Sequence, residues 1–141
     1  MKKNNPFILC VDDDADDLQI LQEAFVASGC NYPIKVATDG QDALRQLSVM
    51  QQEEALPCLI VLDINMPRIG GRETVVALQA DMGLKGIPVV AYSTSSSTTD
   101  KTFFSNHNVP FFTKPSYFKE MEVIAANMLH YCHPPFSAIA A

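Results

Sequence analysis

The sequence has 141 residues, of which 48% are hydrophobic and 18% are charged. A chain of this length folds as one domain and buries about two-thirds of its unfolded surface, so it needs no disulfide or metal for stability. Its apolar runs, such as Cys58–Leu62, are far shorter than the ~18 residues that cross a bilayer. Phe7–Val11 is also too short for the core of a signal peptide. We therefore expect a soluble cytoplasmic protein with no membrane partner.

The net charge of −6 is concentrated near the N-terminus. Five of the 16 acidic residues fall within one short segment: Asp12, Asp13, Asp14, Asp16 and Asp17. Elsewhere acidic and basic residues nearly balance, so this cluster indicates a cation site and not a generally acidic surface. The sequence has no basic run interleaved with aromatic residues, which argues against a nucleic-acid partner.

The four cysteines are spread along the chain. Cys10 and Cys58 lie in apolar runs, whereas Cys30 and Cys132 lie near the ends of predicted segments. No pair has the C-x-x-C spacing of a zinc ribbon or a thioredoxin-type redox site. We therefore expect unpaired thiols in a reducing compartment.

The first part of the chain alternates apolar runs with segments of helical periodicity. Phe7–Val11 is wholly apolar and ends at carboxylates, which is typical of a buried strand. A helix is predicted over Asp14–Ser28, with Asp14 as its N-cap. A second strand over Ile34–Ala37 and a second helix over Gln41–Met50 follow.

The rest of the chain repeats this alternation three times. The predicted bounds, in chain order, are Cys58–Leu62 (strand), Arg72–Met82 (helix), Ile87–Tyr92 (strand), Asp100–Asn106 (helix), Val109–Thr113 (strand) and Ser116–His130 (helix). The helix over Asp100–Asn106 is short and follows a run of hydroxyl residues, so we expect it to be the most mobile element. Five apolar strands alternating with helices predict a doubly wound α/β fold, with a parallel sheet covered by helices on both faces.

Polar side chains follow four of the five predicted strands. Asp12 and Asp13 follow the first strand, Asp63 the third, Ser93 the fourth and Lys114 the fifth. Because ligands of such sheets bind at the carboxyl ends of the strands, we expect these side chains to meet at one edge. Grouped carboxylates suit Mg²⁺, and a carboxylate can act as a nucleophile that forms an aspartyl phosphate. The lysine supplies a charge for phosphate oxygens, and the serine a hydrogen bond.

Taken singly, each of these signals has a simpler structural interpretation. A carboxylate after a strand is often a loop residue or a helix cap, and Lys114-Pro115 is often a turn. The run of hydroxyl residues is also consistent with a flexible loop in which Ser97 and Asp100 form a capping box. Their occurrence at successive strand ends favours a shared site.

Four segments carry a resemblance to a known family. FILCVDDDADD, LIVLDINMPRIGG, IPVVAYSTSSS and FFTKP resemble, in order and spacing, the receiver domain of bacterial two-component response regulators. The resemblance runs from about Phe7 to Met128, and the YSTSSS and MPRIGGRE segments resemble stand-alone regulators, including partners of phytochrome-type kinases. It implies a flavodoxin-like (βα)5 three-layer sandwich with strand order 2-1-3-4-5. It also implies a receiver domain over residues 1–133. The short tail over 134–141 leaves about ten residues beyond the last predicted helix, too few for an output domain, so we expect none.

The resemblance assigns roles to the acidic edge. Asp63 matches the phosphoacceptor, and Asp13 matches the direct ligand of Mg²⁺ (or Mn²⁺). Asp12 matches the acid that acts largely through water, and Asn65 matches the position whose backbone carbonyl completes the metal site. The acidic segment departs from the family pattern because Asp14 and Asp16-Asp17 extend the usual pair of acids.

The resemblance also assigns roles at the last two strands. Ser93 matches the switch hydroxyl and Lys114 the lysine that contacts the phosphoryl group. Pro115 matches a proline that is usually cis, and Phe111 matches an aromatic residue whose ring turns inward on activation. The family's usual Gly-Ala between Ser93 and Lys114 is replaced here by Asn106-His107-Asn108-Val109-Pro110, and Pro110, directly before Phe111, is expected to stiffen the backbone there.

The implied function is that of a phosphoprotein in a two-component phosphorelay. A sensor histidine kinase or a phosphotransfer protein donates a phosphoryl group to Asp63 in the presence of Mg²⁺, and water later hydrolyses the product. The receiver takes part in its own phosphorylation and dephosphorylation but is not a turnover enzyme. It would signal through contact with a downstream protein target, as a monomer or weak dimer.

Three alternatives remain at the level of the sequence. The first is a pseudo-receiver that binds partners without phosphorylation. The second is a calcium-binding loop, because Asp12-x-Asp14-x-Asp16…Glu23 fits EF-hand positions, although Asp17 stands where the loop requires glycine. The third is an aspartyl phosphatase, but such an enzyme needs a second acid where this chain has Asn65.

Overall fold

The computed structural model describes residues 5–95 and 97–132. Its strands are Ile8–Val11 (β1), Ile34–Ala37 (β2), Leu59–Leu62 (β3), Val89–Ser93 (β4) and Phe111–Thr113 (β5). Its helices are Ala15–Ala27 (α1), Gly40–Gln52 (α2), Gly71–Ala80 (α3), Thr98–Asn106 (α4) and Phe118–Leu129 (α5). The alternation of strand and helix is therefore confirmed, whereas the predicted tail lies outside the described residues.

The five strands form one parallel sheet in the order β2-β1-β3-β4-β5. In the register between the central strands, Val11 pairs with Leu62 and Leu62 pairs with Ala91. This register brings the ends of β1 and β3 to the same level, so the residues that follow them are neighbours. The predicted doubly wound sheet and its strand order are confirmed.

Each face of the sheet has its own hydrophobic core, because alternate residues of a strand point to opposite faces. Ile8 and Cys10 pack with α1 and α5, whereas Leu9 and Val11 pack with α2, α3 and α4. The central strands β1 and β3 are wholly apolar and buried because both of their faces are covered. Burial of each such side chain contributes about 1.5–3 kcal/mol, so these cores hold the edge that carries the polar residues.

Several boundaries differ from the sequence prediction. β4 starts at Val89, two residues later than predicted, and it includes Ser93 as its last residue. β5 starts at Phe111, because Val109 donates its N–H to Phe104 at the end of α4 and Pro110 has no N–H to donate. α4 starts earlier than predicted because Ser97 caps it, accepting a hydrogen bond from the N–H of Asp100 at 3.3 Å.

Two large apolar residues of the helices lie outside the core. Val26 is 69% exposed, because it is rotated away from the buried Phe25 by one residue of α1. Phe118 is 41% exposed, because it is the first residue of α5 and precedes Met121, where the buried face begins. All four cysteines are buried and free, and the Sγ atoms of Cys58 and Cys132 lie 3.3 Å apart.

No helix within the described ranges is long and apolar enough to span a membrane. The calcium-loop alternative is wrong, because the chain from Ala15 onward forms α1 and leaves no twelve-residue loop after Asp12.

Candidate functional site: an acidic edge of the sheet

The hydrogen bonding of the sheet continues one residue beyond β1 and β3, to Asp12 and Asp63. The N–H of Asp12 donates to the carbonyl of Ala37 at 3.0 Å, and the N–H of Asp63 donates to the carbonyl of Val11 at 2.9 Å. Asp12 and Asp63 are buried, whereas Asp13 is exposed. One carboxylate oxygen from each of these three residues lies within 4.8 Å of the others. The predicted convergence of Asp12, Asp13 and Asp63 is therefore present.

The carboxylates disfavour each other's charge. Burial, together with the charge of Asp12, raises the pKa of Asp63 to about 7, although Lys114 acts in the opposite direction. A buried acid beside like charges is stabilised when a cation arrives, because the cation offsets both desolvation and repulsion. Clustered carboxylate oxygens are the donor set that Mg²⁺ and related hard cations prefer. This donor set therefore fits a divalent cation.

Lys114 is the cation that the chain itself supplies. Its Nζ atom lies 2.8 Å from Oδ2 of Asp12, 2.9 Å from Oδ2 of Asp17 and 3.7 Å from Oδ1 of Asp63. Burial acts to lower the pKa of this ammonium group, but hydrogen bonds to Asp12 and Asp17 outweigh that effect and raise it above its ordinary value. Lys114 is therefore a permanent positive charge beside Asp63.

Ser93 is the fully buried last residue of β4. Its carbonyl accepts a hydrogen bond from the N–H of Lys114 at 2.8 Å, which ties the ends of β4 and β5 together. Its hydroxyl accepts from the N–H of Ser95 at 3.2 Å and lies 3.5 Å from Nδ2 of Asn65. The hydroxyl is thus placed between the loop after Asp63 and the loop before α4.

Phe111 lies at the opposite end of β5 from Lys114. Its half-buried ring packs on the core of the α2, α3 and α4 face, with its centroid 6.1 Å from that of Phe104. Its turning on activation, the cis peptide at Pro115 and the metal contact of the Asn65 carbonyl stay predictions.

Sequence reasoning placed Asp17 in the acidic cluster but gave it no role. The signal was its position four residues after Asp13, which puts it one helical turn from the edge once Asp14 caps α1. The sequence analysis also did not predict the ion pair between Arg72 and Asp100, which joins α3 to α4. Both contacts depend on how helices are rotated against the sheet.

A doubly wound parallel sheet with three carboxylates and a lysine at its carboxyl edge defines an α/β protein with a divalent-cation site. A family model, the response regulator receiver domain, matches residues 8–126. The chain therefore belongs to the response regulator receiver domain family. Members of this family accept phosphoryl groups, bind a divalent metal at an acidic pocket and interact with histidine kinases or phosphotransfer proteins.

Two relatives illustrate the range of the family. The chain is 30% identical over 125 residues to a probable methanogenesis regulatory protein, FilR2, of Methanothrix harundinacea, which covers 86% of this chain and 81% of that protein. It is 39% identical over 98 residues to the transcriptional regulatory protein PrrA of Mycobacterium leprae, covering 70% of this chain. The chain spans only 38% of the length of PrrA.

Two solved structures are similar over most of their length. The phosphorylated cyanobacterial phytochrome response regulator RcpA matches with a TM-score of 0.82 and 27% identity, covering 94% of this chain and 97% of that one. The Mn²⁺-bound form of response regulator Rcp1, a protein of Synechocystis, matches with a TM-score of 0.74 and 28% identity, covering 89% and 92%. Single-domain response regulators thus share this fold.

Proposed function

We propose that this chain is a Mg²⁺-dependent response regulator that accepts a phosphoryl group on Asp63. The observation that carries the proposal is the position of the Asp63 carboxylate, buried between Asp12, Asp13 and the Lys114 ammonium. A carboxylate becomes an effective nucleophile toward phosphorus when nearby positive charge stabilises the phosphoryl oxygens in the transition state. The family membership supplies the reaction, and the geometry favours Asp63 as the acceptor.

Asp13, Asp12, Asp63 and the backbone carbonyl of Asn65 would hold the metal. A bound Mg²⁺ or Mn²⁺ would neutralise the carboxylates and the incoming phosphoryl oxygens. The carboxylate donor set and the raised pKa of Asp63 support this assignment. The Mn²⁺-bound form of Rcp1 supports a divalent cation, and Mg²⁺ is the hard cation best suited to so few oxygen ligands.

The ionised Asp63 attacks the phosphorus of a phosphohistidine on a sensor kinase or phosphotransfer protein. A new O–P bond forms, the N–P bond breaks, and the histidine nitrogen leaves with the electron pair. Lys114 then contacts an oxygen of the acyl phosphate, and Ser93 donates a hydrogen bond to another. These contacts shift an existing conformational equilibrium toward the state that binds a downstream protein. Attack by water on the acyl phosphate returns the carboxylate and releases phosphate.

The wider assignment is part of the same proposal. The family resemblance also supports a receiver domain over residues 1–133 that acts in the cytoplasm. It supports signalling by protein contact, as a monomer or weak dimer, and the switch roles of Ser93 and Phe111. Each is open to separate test.

The direct test is intact-protein mass spectrometry after incubation with acetyl phosphate and Mg²⁺. We expect wild type to gain one phosphoryl mass, and Asp63→Asn to gain none. Asp16→Asn, which removes an exposed acid from the same cluster, is the matched control and should behave as wild type. Removal of Mg²⁺ with a chelator should abolish the gain. A folded wild type that gains no mass from acetyl phosphate or from a phosphorylated phosphotransfer protein would instead indicate a pseudo-receiver.

A further inference from the structure

Asp17 binds the site lysine from outside the carboxylate cluster. Its Oδ2 atom lies 2.9 Å from Nζ of Lys114, almost as close as Asp12 at 2.8 Å and closer than Asp63 at 3.7 Å. Asp17 belongs to the first turn of α1, and the side chain of Asp14 fixes that turn by accepting hydrogen bonds from the N–H groups of Asp16 and Asp17. The α1 cap therefore holds Asp17 over the lysine.

The hydrogen bonds of Lys114 are committed away from Asp63. An ammonium group has three N–H donors, and in the described structure two of them are donated to Asp12 and Asp17. At 3.7 Å, Asp63 is within ion-pair range but beyond hydrogen-bond distance. The one remaining N–H can reach a single oxygen of a phosphoryl group on Asp63, so a hydrogen bond to a second oxygen requires Lys114 to release Asp12 or Asp17.

Asp17 is the contact that is easier to release. The Asp12 side chain is 8% exposed and belongs to the carboxylate trio, so a cation at the site would share it. The Asp17 side chain is 38% exposed and lies outside that trio. A partly exposed ion pair is weaker than a buried one, because water competes for both charges.

We propose that Asp17 is a positioning residue that competes with the phosphoryl group of Asp63 for the Lys114 ammonium. The inference rests on the proposed function, since it requires a phosphoryl group on Asp63. Asp17 holds Lys114 toward α1 in the unphosphorylated protein and lowers the stability of the phosphorylated conformation. It sets how strongly the protein retains a phosphoryl group without touching that group itself.

The test measures the affinity for beryllofluoride, a phosphoryl mimic, by ¹⁹F NMR titration at saturating Mg²⁺. Asp17→Asn should bind it about fivefold more tightly than wild type, as expected for loss of a partly exposed competing ion pair. Asp17→Glu keeps the competing charge and should restore wild-type affinity. Asp16→Asn removes the same charge one residue away, where no ion pair with Lys114 is found among the described residues, and should also match wild type.

Two further readouts separate positioning from a general effect of charge. In a Lys114→Met background, Asp17→Asn should no longer change the affinity, because the competition acts through the lysine. In metal-free, ¹⁵N-lysine-labelled protein, the ammonium protons of Lys114 should exchange with water faster in Asp17→Asn than in Asp16→Asn. This second measurement needs neither metal nor phosphoryl mimic.

The outcomes distinguish the two proposals. A wild type that binds beryllofluoride, with Asp17→Asn and Asp16→Asn showing equal affinities, overturns the role of Asp17 and leaves the proposed function intact. An effect of Asp17→Asn that persists without Lys114 overturns it as well. A folded wild type that binds no beryllofluoride overturns the proposed function, and the role of Asp17 with it.

Discussion

The Arg72 guanidinium in the first turn of α3 donates two hydrogen bonds to Oδ1 of Asp100 in the first turn of α4. The other oxygen of Asp100 accepts a hydrogen bond from the Ser95 hydroxyl at 2.9 Å. The N–H of Ser95 in turn donates to the Ser93 hydroxyl at 3.2 Å. A continuous chain of hydrogen bonds therefore runs from the end of β4 to α4. A movement of Ser93 toward Asp63 would change the position of Ser95 and, through Asp100, the position of α4.

Arg72→Ala is expected to loosen α4 while leaving the rest of the fold in place. The Arg72 side chain is 41% exposed, so its loss should lower the free energy of unfolding by less than about 1 kcal/mol. Because the change is local, amide hydrogen exchange in α4 should accelerate more than in α3 or α5. Arg45→Ala, which removes an exposed pair within α2, is the matched control. Unchanged exchange in α4 would show that this pair does not hold the helix.

The same pair predicts a pH dependence. Hydrogen bonds from Arg72 and then from Ser95 hold the pKa of Asp100 below its ordinary value, although burial opposes them. The resulting stabilisation is present above the ordinary carboxyl pKa and is lost as the pH falls through the lowered value. The difference in hydrogen exchange between wild type and Arg72→Ala should therefore disappear in acid.

Asp63→Asn is expected to stabilise the metal-free protein at neutral and alkaline pH. Burial first, and the charge of Asp12 second, raise the pKa of Asp63 to about 7, so the folded state binds a proton more strongly than the unfolded chain does. Wild-type stability should therefore fall as the pH rises from about 4 to 7, as the group ionises. At about 1.4 kcal/mol per unit of pKa difference, the variant should gain about 1 to 3 kcal/mol over wild type at pH 8.

Urea unfolding of both proteins in a chelator, at pH 4.5 and pH 8, measures this difference. The gain of the variant should be much smaller at pH 4.5, where Asp63 of the wild type is mostly protonated. Addition of Mg²⁺ at pH 8 should stabilise wild type more than Asp63→Asn, because the cation favours the folded carboxylate cluster. Equal stabilities of the two proteins at both pH values would mean that the pKa of Asp63 is not raised in the folded protein.

The acidic edge could be predicted from the sequence because it needs only the ends of the strands and the rule that parallel strands share one carboxyl edge. The end of a buried strand is visible in CLIVL followed by Asp63, and parallel strands bring their carboxyl ends together. The topology places Lys114 and Asp12 at the same edge of the sheet, but their contact needs the long lysine side chain to reach from the end of β5 past β4 and β3. The contacts of Asp17 with Lys114 and of Arg72 with Asp100 were not predicted, because they depend on helix rotation and on long side chains crossing between elements. The predicted start of β5 at Val109 was too early, because the N–H of Val109 bonds to Phe104 of α4, a contact that apolar character does not reveal.

Gly71→Ala should destabilise the loop that follows Asp63. Gly71 opens α3 and donates its N–H to the carbonyl of Ile64 at 3.1 Å. A Cβ atom at Gly71 would lie 2.6 Å from Cα of Ile64, which is backbone and cannot move aside cheaply. We expect a loss of about 1 to 3 kcal/mol in the free energy of unfolding, as for other overpacked sites.

Gly86→Ala is the matched control for that substitution. A Cβ atom at Gly86 would meet nothing within 4 Å. Its free energy of unfolding should stay within about 0.5 kcal/mol of wild type or rise slightly, because alanine restricts the unfolded chain. If the two alanine variants unfold at the same urea concentration, then the close approach of Gly71 to Ile64 does not limit stability.

Tyr92→Phe is expected to preserve or increase stability, although Tyr92 is a buried residue of β4. Its side chain is 2% exposed, and its hydroxyl has no hydrogen-bond partner within the described part of the chain. Burial raises the pKa of this phenol to about 12, although the charge of Lys114 opposes the shift. A buried hydroxyl without a partner costs about 1 to 3 kcal/mol, part of which phenylalanine should recover while keeping the ring beneath Lys114.

Chemical unfolding of Tyr92→Phe and of Tyr117→Phe measures the effect of the hydroxyl. Tyr117 is 71% exposed, so its hydroxyl is solvated in both states and its removal should change stability by less than about 0.5 kcal/mol. The free energy of unfolding of Tyr92→Phe should equal or exceed that of the Tyr117→Phe control. Tyr92→Ala should lose about 3 to 5 kcal/mol because of the cavity it leaves. A loss of 1 kcal/mol or more for Tyr92→Phe would mean that a bound water or another group satisfies the hydroxyl, since only a satisfied hydroxyl stabilises the fold.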